Sequence, residues 1–546
     1  MLTAIQPPFG WAALAWVAMV PFILISSSPI KTRHLVIIAY VVSACYWLGN
    51  LYWIAPVTTA GWLAFCLYTA LLWPLLLLLL RYCANRGIPF LLAVPVLVVV
   101  VENLQGLFLG GFFWRFLAHS QYANISLIQI ADISGAAGLS FLIAAVNALI
   151  AELIIAAAQK RILKIAPLLK TACVAAAVLA AVAYGRWRIG QTDEFIEPGP
   201  TVAAVQSNVP QSVKRSFQAG DQIFQQLLEK SNACANAGAS LIVWPETMVQ
   251  AILDQRVLML LDTSHSYKVF DRLLSDHAKD TAFILAGAYG GTLRINPDDT
   301  VDLASRYNSA FLYGPQGHQM PKQYNKIHLV PFGEVVPFKK TFPGLYEVLM
   351  KFTPYNYDYS LDYGTEYTVF EVVNVPPDPS RTYKFGVMIC YEDTVPVIAA
   401  KLALGPDKNK RLHWLVNISN DGWFVRFDNG KIKPATELAQ HTAVCVFRAV
   451  ENRLAVLRSV NTGISCLIDT VGRIRDGFLA GDLPGRAMER QAVAGWFVDR
   501  MPIDKRVTFF SKNGRWLDFA CAAAVFLFII IPQISGKAKQ TRAGNE

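Results

Sequence analysis

Residues 384–393 read KFGVMICYED, and they decide how the second half of the chain folds. An apolar run stops at Cys390, and the acidic pair Glu392-Asp393 follows after one tyrosine. A run bounded so abruptly predicts a buried strand that turns into a helix near 394–404. By default a cysteine there is a small hydrophobe of the core. The start of a helix is also where a thiol gains nucleophilicity, because its pKa is lowered.

The same pattern repeats outward from that strand. TVAAVQSNV (201–209), SLIVWPE (240–246), AFILAGAYG (282–290) and SAFLYGP (309–315) read as buried strands, as do HWLVNISND (413–421), LAVLRSV (454–460) and ISCLIDT (464–470). Helical patterns at 216–237, 267–279 and 434–451 lie between them. Strands alternating with helices predict a layered α/β domain over 197–512. In such sheets chemistry collects at the carboxyl ends of strands. Three ends carry reactive types: Glu246, Cys390 and Asn420-Asp421. Lys326 lies in QYNKIHLVPFGE (323–334), a loop between strands. Taken singly, Glu246 is a solvated acid or a helix cap and Lys326 a surface cation. Taken together with Cys390, the carboxylate takes the thiol proton, and the ammonium stabilises thiolate and oxyanion. The longest irregular stretch, 339–366, is rich in Tyr, Phe and Pro. A loop of that length is usually functional or mobile, and its aromatics either pack on the domain or sit in a membrane interface.

The rest of the chain is of a different kind. Of 546 residues 54% are apolar and only 16% charged, against about 25% charged in soluble proteins. The deficit falls in residues 1–186 and 517–534. A bilayer core needs about 20 apolar residues as helix, and seven segments qualify: 9–27, 35–54, 61–80, 88–109, 136–158, 166–186 and 517–535. The organisation expected is a transmembrane helical domain over 1–190, an outer domain over 197–512 and a closing helix with its tail over 513–546. Lys31 and Arg33, Arg81 and Arg86, Lys160, Arg161 and Lys164, and finally Lys537, Lys539 and Arg542 follow alternate spans. All therefore face one side, which the positive-inside bias makes cytoplasmic. The α/β domain then lies outside, as does Met1, so the chain either starts outside or has lost a helix upstream. Those basic loops, facing anionic lipid, account for much of the net charge of +10 without a nucleic-acid partner. Of nine cysteines, five lie in or beside the spans. Cys234, Cys390, Cys445 and Cys466 of the outer domain fit no zinc or CxxC spacing, and a disulfide within that set stays open.

WPE (244–246), YNKIHLVPFGE (324–334) and ICYE (389–392) resemble the Glu, Lys and Cys motifs of the nitrilase superfamily, in its apolipoprotein N-acyltransferase branch. The resemblance extends through NISNDGWF (417–424), QH (440–441), FRAVENRLAVLRSVNTGIS (447–465) and the membrane stretches PPFGWAALAW (7–16), FFWRFLAHSQ (112–121) and ISGAAGLSFLIAAVN (133–147). It implies an α-helical transmembrane bundle plus a nitrilase-like αββα sandwich on the periplasmic side of a bacterial inner membrane. It implies Glu246 as general base, Lys326 as oxyanion stabiliser, Cys390 as nucleophile, and supporting roles for Glu334, Tyr391 and Glu392. Cys390 attacks a glycerophospholipid ester, and the thioester passes its acyl chain to the α-amine of a diacylglyceryl-cysteine apolipoprotein. Neither metal nor cofactor is implied, and the membrane domain favours a monomer. The chain departs from the family in three ways. Seven spans replace eight, Arg215 stands where a tryptophan is expected, and the 425–439 loop is long and charged.

Two other readings compete. A membrane-anchored amidase or nitrilase would use the same triad with water as acceptor. A transporter or sensor would only bind; the scarcity of ionisable residues in the spans, chiefly Glu102 and Arg115, speaks against it.

Overall fold

The computed structural model describes residues 1–107, 110–214, 217–297, 301–339, 341–353 and 359–543. The chain divides into two units: Met1–Tyr52, Trp62–Gly190 and Asn513 onward form one, Trp53–Gly61 and Gln191–Lys512 the other.

The first unit is helical. Thr32–Asn50, Thr59–Asn85, Phe90–Leu107, Ala131–Ala158 and Ile165–Gly190 are long and apolar enough to cross a membrane, and Ala12–Ser26 and Trp516–Ile529 are shorter apolar helices. Among the described residues, all seven expected segments therefore carry helix, and five of the helices are long and apolar enough to span. The 9–27 segment divides into Ala12–Trp16 and Val20–Ser26, with Pro21 in the first turn of the second piece, where its missing N–H costs nothing. Gly135, at φ 65° and ψ −172°, kinks the helix Ala131–Ala158. Glycine alone takes that conformation without a Cβ clash, so the straight run begins at 136. Charges inside the unit are satisfied within it. Asp132 takes Arg188 Nε at 2.8 Å, Glu152 takes Lys170 Nζ at 2.6 Å, Glu102 accepts from Leu117 N, and Arg115 Nε donates to Tyr46 Oη. Leu168, Leu169, Leu179, Phe519 and Phe526 are exposed, as side chains facing hydrocarbon are.

The second unit contains two main sheets. Its strands are β1 Ile196–Gln206, β2 Leu241–Val243, β3 Phe283–Ile295, β4 Val301–Gly314, β5 His318–Asn325, β6 Phe370–Val372, β7 Tyr383–Ile389, β8 Trp414–Ser419, β9 Arg426–Asp428, β10 Lys431–Lys433, β11 Ala455–Val460, β12 Cys466–Ile468, β13 Ile474–Arg475, β14 Leu479–Gly481 and β15 Gly495–Asp504. One sheet runs β14-β15-β1-β2-β3-β4-β5, the other β13-β12-β11-β8-β7-β6. Strands β1, β2 and β3 are parallel, as are β7, β8 and β11.

Period-2 alternation builds the layers. Val202 and Ala204 of β1, Leu241 and Val243 of β2 and Leu285 of β3 face Val387, Ile389, Trp414, Val416 and Leu457 of the other sheet in one core. Ala203, Val205, Ile242 and Ile284 point the other way. They bury against Ile223, Phe224 and Leu227 of helix Phe217–Asn236 and Leu274 of helix Ser266–Asp280. Helices Pro396–Ala403 and Thr436–Asn452 belong to the second sheet's layer. The result is the expected αββα sandwich. Three features differ from the sequence reading. LAVLRSV and ISCLIDT do not complete the sheet, because β15 runs antiparallel beside β1 from Ile196↔Asp504 to Gln206↔Gly495. Lys326 directly follows β5, a polar strand that pairs with β4. Part of 339–366 is the helix Pro343–Met350, which buries none of its residues. The loop 425–439 begins as the β9–β10 hairpin, turning at Asn429 and Gly430, both at positive φ.

Candidate active site

The carboxyl ends of β2, β5, β7 and β8 meet at one place. Glu246 leaves β2 through Trp244 and Pro245, and Gly287 of β3 makes room for the turn. A Cβ at 287 would sit 2.6 Å from the Pro245 carbonyl oxygen and 2.8 Å from Glu246 Cα. Cys390 ends β7 at φ +52°. That left-handed conformation costs a non-glycine residue about 1–2 kcal/mol, and it persists because its neighbours fix it. Asn417 Nδ2 of β8 donates to the Cys390 carbonyl at 3.1 Å, and Ile389 N donates to Glu392 Oε2 at 2.7 Å.

Lys326 Nζ lies 2.7 Å from Glu334 Oε2 and 3.5 Å from Glu246 Oε1. Asn308 of β4 donates through one Nδ2 to both carboxylates, at 2.6 Å to Glu246 and 2.9 Å to Glu334. Asn420 N, at the end of β8, donates to Glu246 Oε2 at 2.8 Å. Glu246, Lys326 and Cys390 are buried, and Cys390 feels the charges of both other residues. The three sequence-predicted catalytic residues are therefore gathered in one cluster.

The supporting residues have separable places. Glu334 holds Lys326. Glu392 is fully buried and accepts four hydrogen bonds, from Tyr324 Oη, Ile327 N, His328 N and Ile389 N, all at 2.7–2.9 Å. It thus ties the residues after Lys326 to the residue before Cys390. Tyr391 is half-buried and stacks on His328, with ring centroids 5.9 Å apart. Arg215 lies outside the described residues. Close packing extends to the far end of the 339–366 stretch, where Gly364 N donates to Lys326 O; a Cβ at 364 would meet the Asn325 carbonyl oxygen at 2.0 Å.

The electrostatics correct one expectation. Cys390 opens a short 3-10 turn, Cys390–Thr394, and the expected helix begins after it at Pro396–Ala403, so the thiol does not stand at the helix's own amino terminus. Burial pushes its thiol above the ordinary value, and the Glu246 charge pushes it further, against the pull of Lys326 and His441. The resting thiol is protonated, so it needs a base. Burial works against the Lys326 charge, but Glu334, Glu246 and Cys390 outweigh it and raise the pKa above the usual lysine value. Burial lifts Glu392 to about 7 in spite of its donors. All nine cysteines are free thiols. Cys234, Cys445 and Cys466 are fully buried, and burial raises each of their pKa values. Of the four thiols of the α/β unit, Cys390 is the one beside Glu246 and Lys326.

Behind the site lies a buried charge network to which the sequence reading gives no role. Asp393 pairs with Arg458 and with His441 Nε2 at 2.8 Å. His441 Nδ1 lies 3.3 Å from Asp421 and 3.2 Å from Glu437. Burial alone would neutralise the imidazole, but Asp393 and Asp421 hold its pKa well above the ordinary value. Among the described residues, Asp421, Glu437 and His441 form the one constellation close enough to hold a metal ion; the imidazolium and Arg458 already balance most of its charge. Asn308 and Lys214 also escaped the sequence reading, since neither stands at a strand end.

Comparison with known proteins follows from this geometry. Residues 1–149 match the family described as Apolipoprotein N-acyltransferase N-terminal domain, and residues 201–477 match Carbon-nitrogen hydrolase. An apolipoprotein N-acyltransferase of Geobacter metallireducens is 31% identical over 86% of this chain and 83% of its own length. One of Thermotoga maritima is 25% identical over 99% of this chain and 93% of its own. Among solved structures, an amidase from Nesterenkonia sp. covers 58% of this chain and 94% of its own at 13% identity and a TM-score of 0.37, a likeness too loose to carry an argument.

Proposed function

The chain belongs to the apolipoprotein N-acyltransferase family and is an acyltransferase, and we propose that Cys390, Glu246 and Lys326 carry its reaction. Glu246 takes the thiol proton as Cys390 Sγ attacks the ester carbonyl of a glycerophospholipid. The Lys326 ammonium stabilises the oxyanion. The glycerol oxygen leaves with the proton from Glu246, giving a lysophospholipid and a thioester on Cys390. The α-amine of a diacylglyceryl-cysteine apolipoprotein then attacks the thioester, Glu246 accepts a proton from that amine, the C–S bond breaks with that proton returning to the Cys390 sulfur, and the acyl chain ends as an amide. Glu334 orients Lys326, Glu392 sets the spacing of Lys326 and Cys390, and Tyr391 packs the turn between them.

The observation that carries this reading is the buried Glu246–Lys326–Glu334 cluster around Cys390, in a chain that also has five helices fit to cross a membrane. The chain is a membrane protein. Alternation of the basic loops supports several passes of a bacterial inner membrane, with residues 197–512 on the periplasmic side, and the membrane domain favours a monomer. Exposed Phe342, Leu345 and Val348 on and beside helix Pro343–Met350 suit an arm that dips into the bilayer interface where both lipid substrates reside.

The test is transfer of a labelled acyl chain from phospholipid to a synthetic diacylated lipopeptide. Label should accumulate on Cys390 without acceptor and move to the peptide when acceptor is added. Cys390→Ala should abolish labelling and Cys445→Ala should not. Labelling that persists in Cys390→Ala removes the mechanism. Release of free fatty acid or ammonia with no lipopeptide product would favour the hydrolase reading instead.

A further inference from the structure

One cavity of the α/β unit lies outside the machinery described so far. Its volume is about 480 Å³, within the range that houses small ligands. Lys214, Thr247, Gln250, Tyr267, Tyr289 and Arg306 contribute to its lining. Among the described residues, the charged members of the lining are Lys214 and Arg306, both basic. Lys214 is buried, and its Nζ donates to Thr247 Oγ1 at 2.7 Å and to the Glu246 carbonyl at 3.3 Å. An ammonium has three donors, so one remains. The Arg306 guanidinium lies at the open side, 4.0 Å over the ring of Tyr289. Its backbone is pinned by Asp362, whose carboxylate accepts from Arg306 N at 3.0 Å and whose N–H donates back to Arg306 O at 2.8 Å.

A cation at the floor, a second at the rim and hydroxyls between them are the donor set that recognises a phosphate. Burying Lys214 lowers its pKa to about 7, so an anion arriving beside it would restore the charge. Thr247 lines the cavity and Lys214 Nζ donates to the Glu246 carbonyl, so an anion held by Lys214 sits beside the residue proposed as the base. In a glycerophospholipid the phosphate is separated from the reacting ester by the glycerol alone. We propose that this pocket is the subsite for the phosphodiester headgroup of the acyl donor, with Arg306 and Lys214 as its anion-binding residues. The proposal rests on the acyltransferase reading and names the part of the donor that the site recognises.

The test compares two donors with the full-length protein in mixed micelles: phosphatidylethanolamine, and p-nitrophenyl palmitate, which has no phosphate. Arg306→Gln should raise KM for the phospholipid about tenfold, the worth of one charge-assisted hydrogen bond. The p-nitrophenol burst from Cys390 should stay within twofold of wild type, which also shows that the variant is folded. Arg306→Lys should recover part of the loss. Equal losses with both donors, or no change with either, would overturn the assignment. Inorganic phosphate that inhibits the phosphate-free donor would assign the pocket to a free ion and overturn it as well. A wild-type protein giving no burst at all would instead reject the Cys390 mechanism, and this proposal with it.

Discussion

Replacing Glu246 by Gln isolates the base from the rest of the site. The side chain keeps its shape, and Lys326 keeps its 2.7 Å partner Glu334. Two things change. Asn308 Nδ2 and Asn420 N both donate to the carboxylate. An amide accepts through one atom only, so one donor faces an NH₂ group. The thiol, whose pKa is raised by burial and by Glu246 itself, loses its proton acceptor. General-base catalysis contributes roughly 10²- to 10⁴-fold, or about 3–5.5 kcal/mol at 1.36 kcal/mol per decade. Removing the Glu246 charge also eases thiolate formation, because that charge opposes it, so ionisation and transfer should move in opposite directions. Single-turnover acylation of Cys390 by labelled phospholipid should fall about 10²-fold or more in Glu246→Gln. Alkylation by iodoacetamide above pH 8 should not fall and should start at lower pH than in wild type. Acylation within threefold of wild type would refute Glu246 as the base. A parallel loss of acylation and alkylation would refute the electrostatic account.

Three further outcomes test the surroundings of the site. Glu392→Gln leaves at least one of four buried donors unpaired even if Tyr324 turns its hydroxyl to accept, so it should cost about 1–3 kcal/mol of stability and lower kcat at least about tenfold with little effect on KM; unchanged melting and turnover would reject its role as a tie. Arg458→Met leaves His441 as the cation still paired with the buried Asp393 and should destabilise by about 3 kcal/mol, the low end for a broken buried pair, in chemical denaturation, with partial recovery in Asp393→Asn/Arg458→Met; a fully additive double variant would deny the pairing. Burial, then Asp421, raises Glu437 to about 7 from the model-compound 4.5. The folded state therefore binds that proton more tightly than the unfolded chain. The stability it contributes is complete below about pH 4.5 and is lost as pH rises through about 7, so Glu437→Gln should flatten the fall in melting temperature between pH 5 and 8, and identical slopes would contradict this.

Strands whose side chains are apolar on both faces were legible, as β1, β2, β7, β8 and β11 show. Their burial is continuous, and composition alone marks it. Two of the proposed catalytic residues, Glu246 and Cys390, were legible for the same reason, since each stands where an apolar run breaks, as Asn420 does; Lys326 follows a polar strand and has no such mark. β5 was not, because HQMPKQYN is polar and gains its strand form only from β4. β15 was hidden by distance: its register with β1 joins residues about 300 apart, and MPID ends it without an apolar pattern. The hairpin at 426–433 did carry a signal, Asn429-Gly430, which favours the positive φ of a two-residue turn. Helix Thr436–Asn452 carries Glu437, His441, Arg448 and Glu451, residue types that usually face solvent, yet all four are buried. Their ion partners come from Asp393, Asp421 and one another, pairings that only the assembled fold supplies. Cys390 illustrates the same limit: its position followed from the sequence, whereas the direction of its pKa shift depended on how deeply its neighbours bury it.

The charges of the cluster explain why a protonated thiol suits this enzyme. At rest Glu246, Glu334 and Lys326 sum to one negative charge around a neutral Cys390. Losing the thiol proton to solvent would leave two negative charges in a buried site, which is why burial and Glu246 together oppose it. Passing the proton to Glu246 leaves the total unchanged, with the new thiolate beside Lys326. At neutral pH a thiolate is therefore made by transfer within the cluster rather than by loss of the proton to solvent. Attack on an ester carbonyl then moves the charge onto the oxyanion, which the same ammonium faces. A sulfur that stays protonated between turnovers is a poor target for oxidants.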